Sequence, residues 1–314
     1  MVLMKAMQIY EYGAPDVFVA EEVERPTAGV GEVLVRVRAV GINPVDIALR
    51  AGYVAEMMGN PPMPLILGWD ISGEVVEVGE GVTAFLPGDE VYGLNRFPQP
   101  GNAYAEYVTA PVTDMVQKPR NLSHREAAAL PLVSLTAWKA LFEHANLQAG
   151  ETILIHAAAG GVGHIATQLA SWKGAHVIGT ASGRNIAFVR ELGAETVIDY
   201  TSGRFEEQVQ DLDVALDTMS GEILERTFPV LKKGGRLVTL LGSLNIETAR
   251  AYGVEASGFL ISPNQANLLE ITRLVEGGQL KVHVDAVFPL TEVARAHELV
   301  AGHHVRGKVV LEVV

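Results

Sequence analysis

The plainest pattern along the chain lies in its second half, where short apolar runs alternate with helical segments and glycines mark the joints. Thr152–Ile155 is an apolar, β-branched run that leads straight into His156-Ala157-Ala158-Ala159-Gly160-Gly161-Val162-Gly163, and helical patterning follows over Val162–Lys173. A strand pattern over Ala175–Thr180, a helix over Asn185–Leu192 and a strand over Thr196–Asp199 come next. Asp213–Asp217 then reads as a strand, Gly221–Leu231 as a helix and Arg236–Leu241 as another strand. Gly193, Gly234, Gly235 and Gly242 fall at the ends of these runs, where turn residues belong. Strands alternating with helices predict an α/β fold, a doubly wound parallel sheet with helices on both faces. In such a sheet the ligand lies at the carboxyl ends of the strands.

The first third has another texture. Val33–Val40 alternates, with Arg36 and Arg38 on its polar side, while Gly73–Val78 and Glu90–Gly93 are short runs between Gly and Pro turns. This predicts a mostly antiparallel β domain. Helical patterning takes over at Ser123-His124-Arg125-Glu126, whose Ser and Glu have the spacing of a capping box, and the boundary is placed there. Beyond Ile261 a helix over Gln265–Glu276 and short strands over Ala286–Phe288 and Lys308–Val313 return to the first domain. The expected division is residues 1–122 with 262–314, and 123–261.

Composition narrows the functional classes. A chain of 314 residues suits about two domains, and 48% hydrophobic residues can fill their cores. With Lys+Arg 24 against Asp+Glu 37 the net charge is −13, which disfavours a nucleic-acid partner. No stretch of about 18 apolar residues predicts a membrane span. Lys5, Gln8 and Glu11 interrupt the apolar N-terminal segment, so no signal peptide is expected there, and a chain without cysteine is compatible with a cytoplasmic location.

The glycine-rich turn carries the first candidate chemistry. Backbone N–H groups at the start of a helix cradle a dinucleotide pyrophosphate, and Ala159, Gly160, Gly161, Val162 and Gly163 stand at that place. Gly160 lets the backbone approach the phosphates, and Gly163 lets the helix pack on the strand. Ala158 replaces the first glycine of the usual G-x-G-x-x-G, so the strand–turn–helix context carries the reading more than the motif does. About 20 residues further on, NAD-type sites place an acid for the ribose 2′-hydroxyl. Here the segment is Thr180-Ala181-Ser182-Gly183-Arg184-Asn185, without a carboxylate. Arg184 offers a fork of donors to a 2′-phosphate and Ser182 a hydroxyl, which favours NADPH. The plainer alternative has Ser182 capping the next helix and Arg184 as a solvated charge.

Several further segments, taken in order, resemble one family. They are Gly41-Ile42-Asn43-Pro44-Val45-Asp46, Leu67-Gly68-Trp69-Asp70-Ile71-Ser72-Gly73-Glu74-Val75 and Pro87-Gly88-Asp89-Glu90-Val91-Tyr92-Gly93. Ala103-Tyr104-Ala105-Glu106-Tyr107-Val108, Ala127-Ala128-Ala129-Leu130-Pro131, Leu135-Thr136-Ala137-Trp138 and Arg306-Gly307-Lys308-Val309-Val310-Leu311 complete the set. As a whole the chain resembles the medium-chain dehydrogenase/reductase superfamily, nearest to its zinc-independent quinone oxidoreductase (zeta-crystallin-like) branch. The resemblance implies a GroES-like β domain, a Rossmann domain, NADPH and a homodimer. Zinc-dependent relatives have Cys where this chain has Asn43, and Gly-His-Glu where it has Gly68-Trp69-Asp70, so no metal is expected.

Without a Lewis acid to stabilise an alkoxide, the expected substrate is a small, apolar, electron-poor carbonyl compound. A quinone is favoured, a conjugated enal or enone is the alternative, and a low-turnover NADPH-binding protein like the crystallin-type relatives is a third reading. The resemblance implies Asn43 and Thr136 near the nicotinamide and Tyr53 as a substrate contact or proton donor. Asn43 also reads as an N-cap before Pro44, Tyr53 as packing, and Thr136 as a core or capping hydroxyl. It further implies Tyr200 at the 2′-phosphate, Thr218, Leu241, Gly242 and Ser243 along the cofactor, and Ser262, Pro263 and Asn264 near the nicotinamide.

Overall fold

The computed structural model describes residues 2–241 and 244–314. The chain forms two compact units, one of Met1–Leu135, Ile261–Gly278 and Val282–Val314, the other of Thr136–Leu260 and Gln279–Lys281.

In the first unit, β1 (Leu3–Ile9) pairs antiparallel with β2 (Val19–Glu24). The long strand β3 (Glu32–Gly41) runs into helix α1 (Pro44–Arg50), and β4 (Leu65–Ile66) pairs with β1 to complete a three-stranded sheet. Strands β5 (Asp70–Val78), β6 (Glu90–Leu94), β7 (Tyr107–Pro111) and β8 (Met115–Gln117) follow, then α2 (His124–Ala128) and α3 (Pro131–Trp138).

The second unit contains β9 (Thr152–Ile155), α4 (Gly161–Lys173), β10 (His176–Ala181), α5 (Ile186–Glu191), β11 (Thr196–Asp199) and β12 (Leu212–Asp217). It continues with α6 (Gly221–Thr227), β13 (Leu231–Thr239), α7 (Ile246–Tyr252) and β14 (Glu255–Gly258). Its six strands are parallel in the order β11-β10-β9-β12-β13-β14. The chain then returns to the first unit as α8 (Gln265–Glu276), β15 (Val284–Pro289), α9 (Val293–Ala301) and β16 (Lys308–Glu312). There the second sheet runs β15-β16-β3-β5-β6-β8, with β7 on β3. Only β15 and β16 are parallel in it.

The alternation along β3 explains its place in this sheet. Val33, Val35 and Val37 are buried, while Arg36 stands opposite Glu74 of β5 and donates to it at 2.5 Å, a cross-strand charge pair. Ser123 does cap α2: its N–H donates to Glu126 Oε2 at 2.8 Å and its Oγ accepts from Glu126 N at 3.3 Å. The helix nevertheless stays with the β unit, and the division falls after Leu135 instead of at Ser123. Ala128 and Ala129 are buried with Ala39 and Val310. The fit is close enough that a Cβ on Gly41 would stand 2.3 Å from the Ala128 carbonyl oxygen.

The helix expected over Gly221–Leu231 ends at Thr227, because Pro229 supplies no N–H and clashes with the preceding turn. β13 begins at Leu231, earlier than expected, and Gly234 with φ +75 sits in an irregular stretch of that strand. No helix of the described residues is long and apolar enough to cross a membrane.

Candidate functional site

In the second unit the chain leaves β9 through Ala157, whose φ is +47, and reaches Gly160 at the N-cap of α4. Gly160 N donates to Ala157 O at 2.8 Å, Ala158 N to Thr180 O at 2.9 Å, and Ala157 N to Thr180 Oγ1 at 3.1 Å. The turn is thereby tied to the neighbouring strand β10. A Cβ on Gly163 would lie 2.2 Å from the Ala157 carbonyl oxygen, so only glycine fits there, and at Gly160 the same distance is 3.2 Å. Gly161, Val162 and Gly163 open the helix, where N–H groups have no intrahelical acceptor. Unpaired N–H groups at a helix start are of the kind that could hold a diphosphate.

Beneath the turn lies a residue that the sequence reading passed over. His156 is buried, and burial pushes its imidazole down to about 4, so it is neutral at pH 7. Thr227 Oγ1 donates to Ile223 O at 2.7 Å, so it accepts from His156 Nε2 at 2.9 Å. His156 Nδ1 then faces the Thr180 hydroxyl at 3.4 Å. Thr218 Oγ1 donates to the His156 carbonyl at 3.0 Å, tying the end of β12 to that of β9. The apolar run around His156 gave no hint of this chain of bonds.

Ser182 and Arg184 stand at the carboxyl end of β10. Ser182 holds the N-cap position of a single 3-10 turn without a side-chain capping bond, and its Oγ accepts from Asn185 Nδ2 at 3.3 Å. Arg184 is exposed. The segment lacks a carboxylate, as read from the sequence, but the sheet edge does not. In the parallel pair β10–β11, Asp199 stands opposite Ala181. The Asp199 carboxylate accepts from Thr201 N at 2.9 Å, from Thr201 Oγ1 at 2.6 Å and from the Gly183 N–H. Those donors hold it below the usual carboxylate range. The Thr180–Asn185 segment is free of acid, and the acid at this edge comes from the neighbouring strand.

Tyr200 follows Asp199 and is half exposed. At the end of β12, buried Asp217 accepts from Met219 N and Ser220 N at 3.1 Å and from Thr239 Oγ1 at 2.8 Å. This holds Ser220 at φ +59 and leaves Met219 and Leu241 each 50% exposed at the sheet edge. Gly242 and Ser243 lie outside the described residues. Ala159–Gly163, Ser182, Arg184, Tyr200, Thr218 and Leu241 thus gather at the carboxyl ends of adjacent strands, and Thr136 is buried on α3.

Asn43, Tyr53 and Ser262–Asn264 belong to the other unit. Asn43 takes the N-cap position of α1, and Asp46 Oδ2 accepts its N–H at 2.6 Å. The Asn43 side chain is used elsewhere: Nδ2 donates to Asp70 Oδ2 at 2.9 Å and Oδ1 accepts from Lys308 Nζ at 2.5 Å. Lys308 also donates to Ile42 O at 2.7 Å, and Asp70 Oδ1 accepts from Leu132 N at 2.8 Å. Asn43, Asp70 and Lys308 are all buried. Burial pushes the Asp70 carboxyl up and the Lys308 ammonium down, and each opposes the shift of the other.

The donor set at the ligand positions of zinc-dependent relatives does not fit zinc. Asn43 and Asp70 are bound to an ammonium, and Trp69 is an indole that donates from Nε1 to Gln99 O at 2.7 Å. Among the described residues no group of three or more His, Cys, Asp or Glu could hold a metal. Tyr53 follows α1 and is 86% exposed, which suits either a substrate contact or packing at an interface. Asn264 caps α8, accepting from Asn267 N at 3.0 Å, beside exposed Ser262 and half-buried Pro263.

Residues 29–120 match the alcohol dehydrogenase GroES-like domain family, and residues 192–311 the zinc-binding dehydrogenase family. A mitochondrial NAD(P)H oxidoreductase of Danio rerio is 34% identical, over 90% of this chain and 84% of its own length. A chloroplastic NADPH-dependent alkenal/one oxidoreductase of Arabidopsis thaliana is 33% identical, over 98% of this chain and 79% of its own. The quinone oxidoreductase structure from Coxiella burnetii is 38% identical, with a TM-score of 0.95 over 100% of both chains. The chain belongs to the quinone oxidoreductase branch of the medium-chain dehydrogenase/reductase superfamily. As a member of this superfamily it is an NAD(P)H-dependent oxidoreductase, and its two units are the GroES-like and Rossmann-like parts of that architecture.

Proposed function

We propose that this medium-chain reductase catalyses the NADPH-dependent reduction of a quinone-type acceptor without zinc or flavin, as a cytoplasmic homodimer. The observation that carries the reading is the diphosphate cradle at Gly160–Gly163 with Ser182 and Arg184 at the end of the adjacent strand. Arg184 and Ser182 supply a cation and a hydroxyl suited to a 2′-phosphate. NADPH, when bound, supplies a hydride to an electron-poor carbon or oxygen.

The protein's part is to bind, orient and exclude water. An ammonium and an amide stand in place of a Lewis acid near Asp70, so the acceptor has to spread its own negative charge. A quinone does so once reduced, and solvent supplies the proton that completes the hydroquinone. The likeness to the Coxiella burnetii quinone oxidoreductase supports this substrate class. The sequence offers one glycine-rich strand–turn–helix, taken by NADPH in this reading, and no second one for an FAD of the Rossmann type.

A second reading, saturation of the C=C bond of a conjugated enal or enone, is favoured by the exposed hydroxyl of Tyr53 and by the likeness to the Arabidopsis thaliana enzyme. NADPH deuterated at C4 tests both readings. Slower quinone turnover with the label supports direct transfer. A saturated ketone carrying one deuterium identifies the second reading, and NADPH consumption with neither acceptor reduced rejects both.

A further inference from the structure

We propose that Asp199 is a specificity-determining residue that limits the preference for NADPH over NADH, because its carboxylate opposes the same 2′-phosphate that Arg184 attracts. The proposal rests on the reading that the turn binds a dinucleotide with its ribose 2′-position toward Ser182–Arg184.

Three observations carry it. The parallel register of β10 and β11 sets Asp199 opposite Ala181, so its side chain emerges one strand over from Ser182 at the same carboxyl edge. Its Oδ2 lies so near Gly183 that a Cβ there would stand 2.8 Å away. Thr201 holds Oδ1 through both its N–H and its hydroxyl, so the carboxylate is fixed beside the turn. Tyr200 N donates to Ala181 O at 3.2 Å, which pins the backbone next to it.

An ionised acid in that position acts differently on the two cofactors. A 2′-phosphate carries about −1.5 to −2 charges near neutral pH and is repelled by a neighbouring carboxylate. A 2′-hydroxyl can donate a hydrogen bond to it, which is how acids at this edge recognise NAD. One cation and one anion side by side therefore give a shallow preference, with both cofactors accepted. The acid closes β11, well past Ser182 in sequence order, and only the pairing of β11 with β10 brings it to this edge.

The test is the dissociation constants of NADPH and NADH, by quenching of protein fluorescence, in the full chain and its variants. Asp199→Asn should tighten NADPH about tenfold while NADH weakens or changes by less than about twofold. Asp199→Glu keeps the charge and should leave the preference low. An Asn side chain cannot accept from both Gly183 and Thr201, so Asp199→Ser, neutral and small, is measured alongside and carries the same expectation if Asp199→Asn does not fold. NADPH affinity unchanged in a neutral variant that still binds NADH would overturn the proposal. Arg184→Ala separates it from the reading beneath: if that variant binds NADPH as tightly as the parent, the 2′-phosphate assignment fails. If Arg184→Ala weakens NADPH and the neutral Asp199 variants leave it unchanged, only the role of Asp199 fails.

Discussion

The Lys308 ammonium donates to the Asn43 side-chain carbonyl at 2.5 Å, while the Asn43 amide donates to Asp70 at 2.9 Å. One buried cation thereby ties β16, near the end of the chain, to the cap of α1 and the start of β5. Its attraction to Asp70 acts with little screening by water, and removing it leaves a buried carboxylate unpaired.

Lys308→Met is accordingly expected to cost about 3–5 kcal/mol of stability, the usual effect of breaking one side of a buried pair. In Lys308→Met with Asp70→Asn the loss should be well below the sum of the two single losses. Urea unfolding of the four proteins checks this, and additive losses would show that the two groups do not act together.

The buried imidazoles predict acid sensitivity. His156 is pushed down to about 4 by burial, and in the unfolded chain it returns to 6.5. The unfolded state therefore binds the proton first: the stabilisation is full above pH 6.5 and is lost as pH falls toward 4, about 3 kcal/mol in all. Asp46 works in the opposite sense. Burial raises it from 3.8 to about 7, so its contribution is full below pH 3.8 and is lost as pH rises toward 7. In unfolding measured from pH 7.5 to 4, His156→Asn should flatten the acid limb, and a limb as steep as the parent's would contradict the assignment.

Gly163→Ala places a Cβ 2.2 Å from the Ala157 carbonyl oxygen, so the turn has to open. NADPH affinity should fall at least about tenfold and stability by about 1–3 kcal/mol. Gly160→Ala, with 3.2 Å to the same atom, should be milder. Calorimetric titration with NADPH measures both, and parent-like binding by Gly163→Ala would remove the cradle from the account.

The turn was legible in the sequence because everything that makes it is local: an apolar run, closely spaced glycines and a helix start. Strands β9 to β12 were legible for the same reason, since a strand buried on both faces reads as a continuous apolar run. The Lys308–Asn43 contact spans 265 residues and left no periodic signal. Asp199 was read as the end of its own strand, because its proximity to Gly183 follows from the β10–β11 register. His156 stood in the sequence between an apolar strand and a glycine turn with nothing to mark it, and only the folded chain shows its two threonine partners.

Tyr53 tests the choice between acceptors. Its side chain is 86% exposed, so Tyr53→Phe should leave stability within about 0.5 kcal/mol. If the hydroxyl supplies a proton to a reduced enone, loss of such assistance slows that reaction about 10²–10⁴-fold, while quinone turnover should change little. Equal rates with both acceptors would leave Tyr53 without a chemical role.

The most direct measurement is kcat/KM with NADPH for a quinone and for a conjugated enone of similar size, on purified, chelator-treated protein, followed by NADPH consumption. The expected result is turnover after chelation, with the quinone reduced the more efficiently. Reduction of the enone with the quinone inert, or activity lost on chelation and restored by zinc, would contradict it.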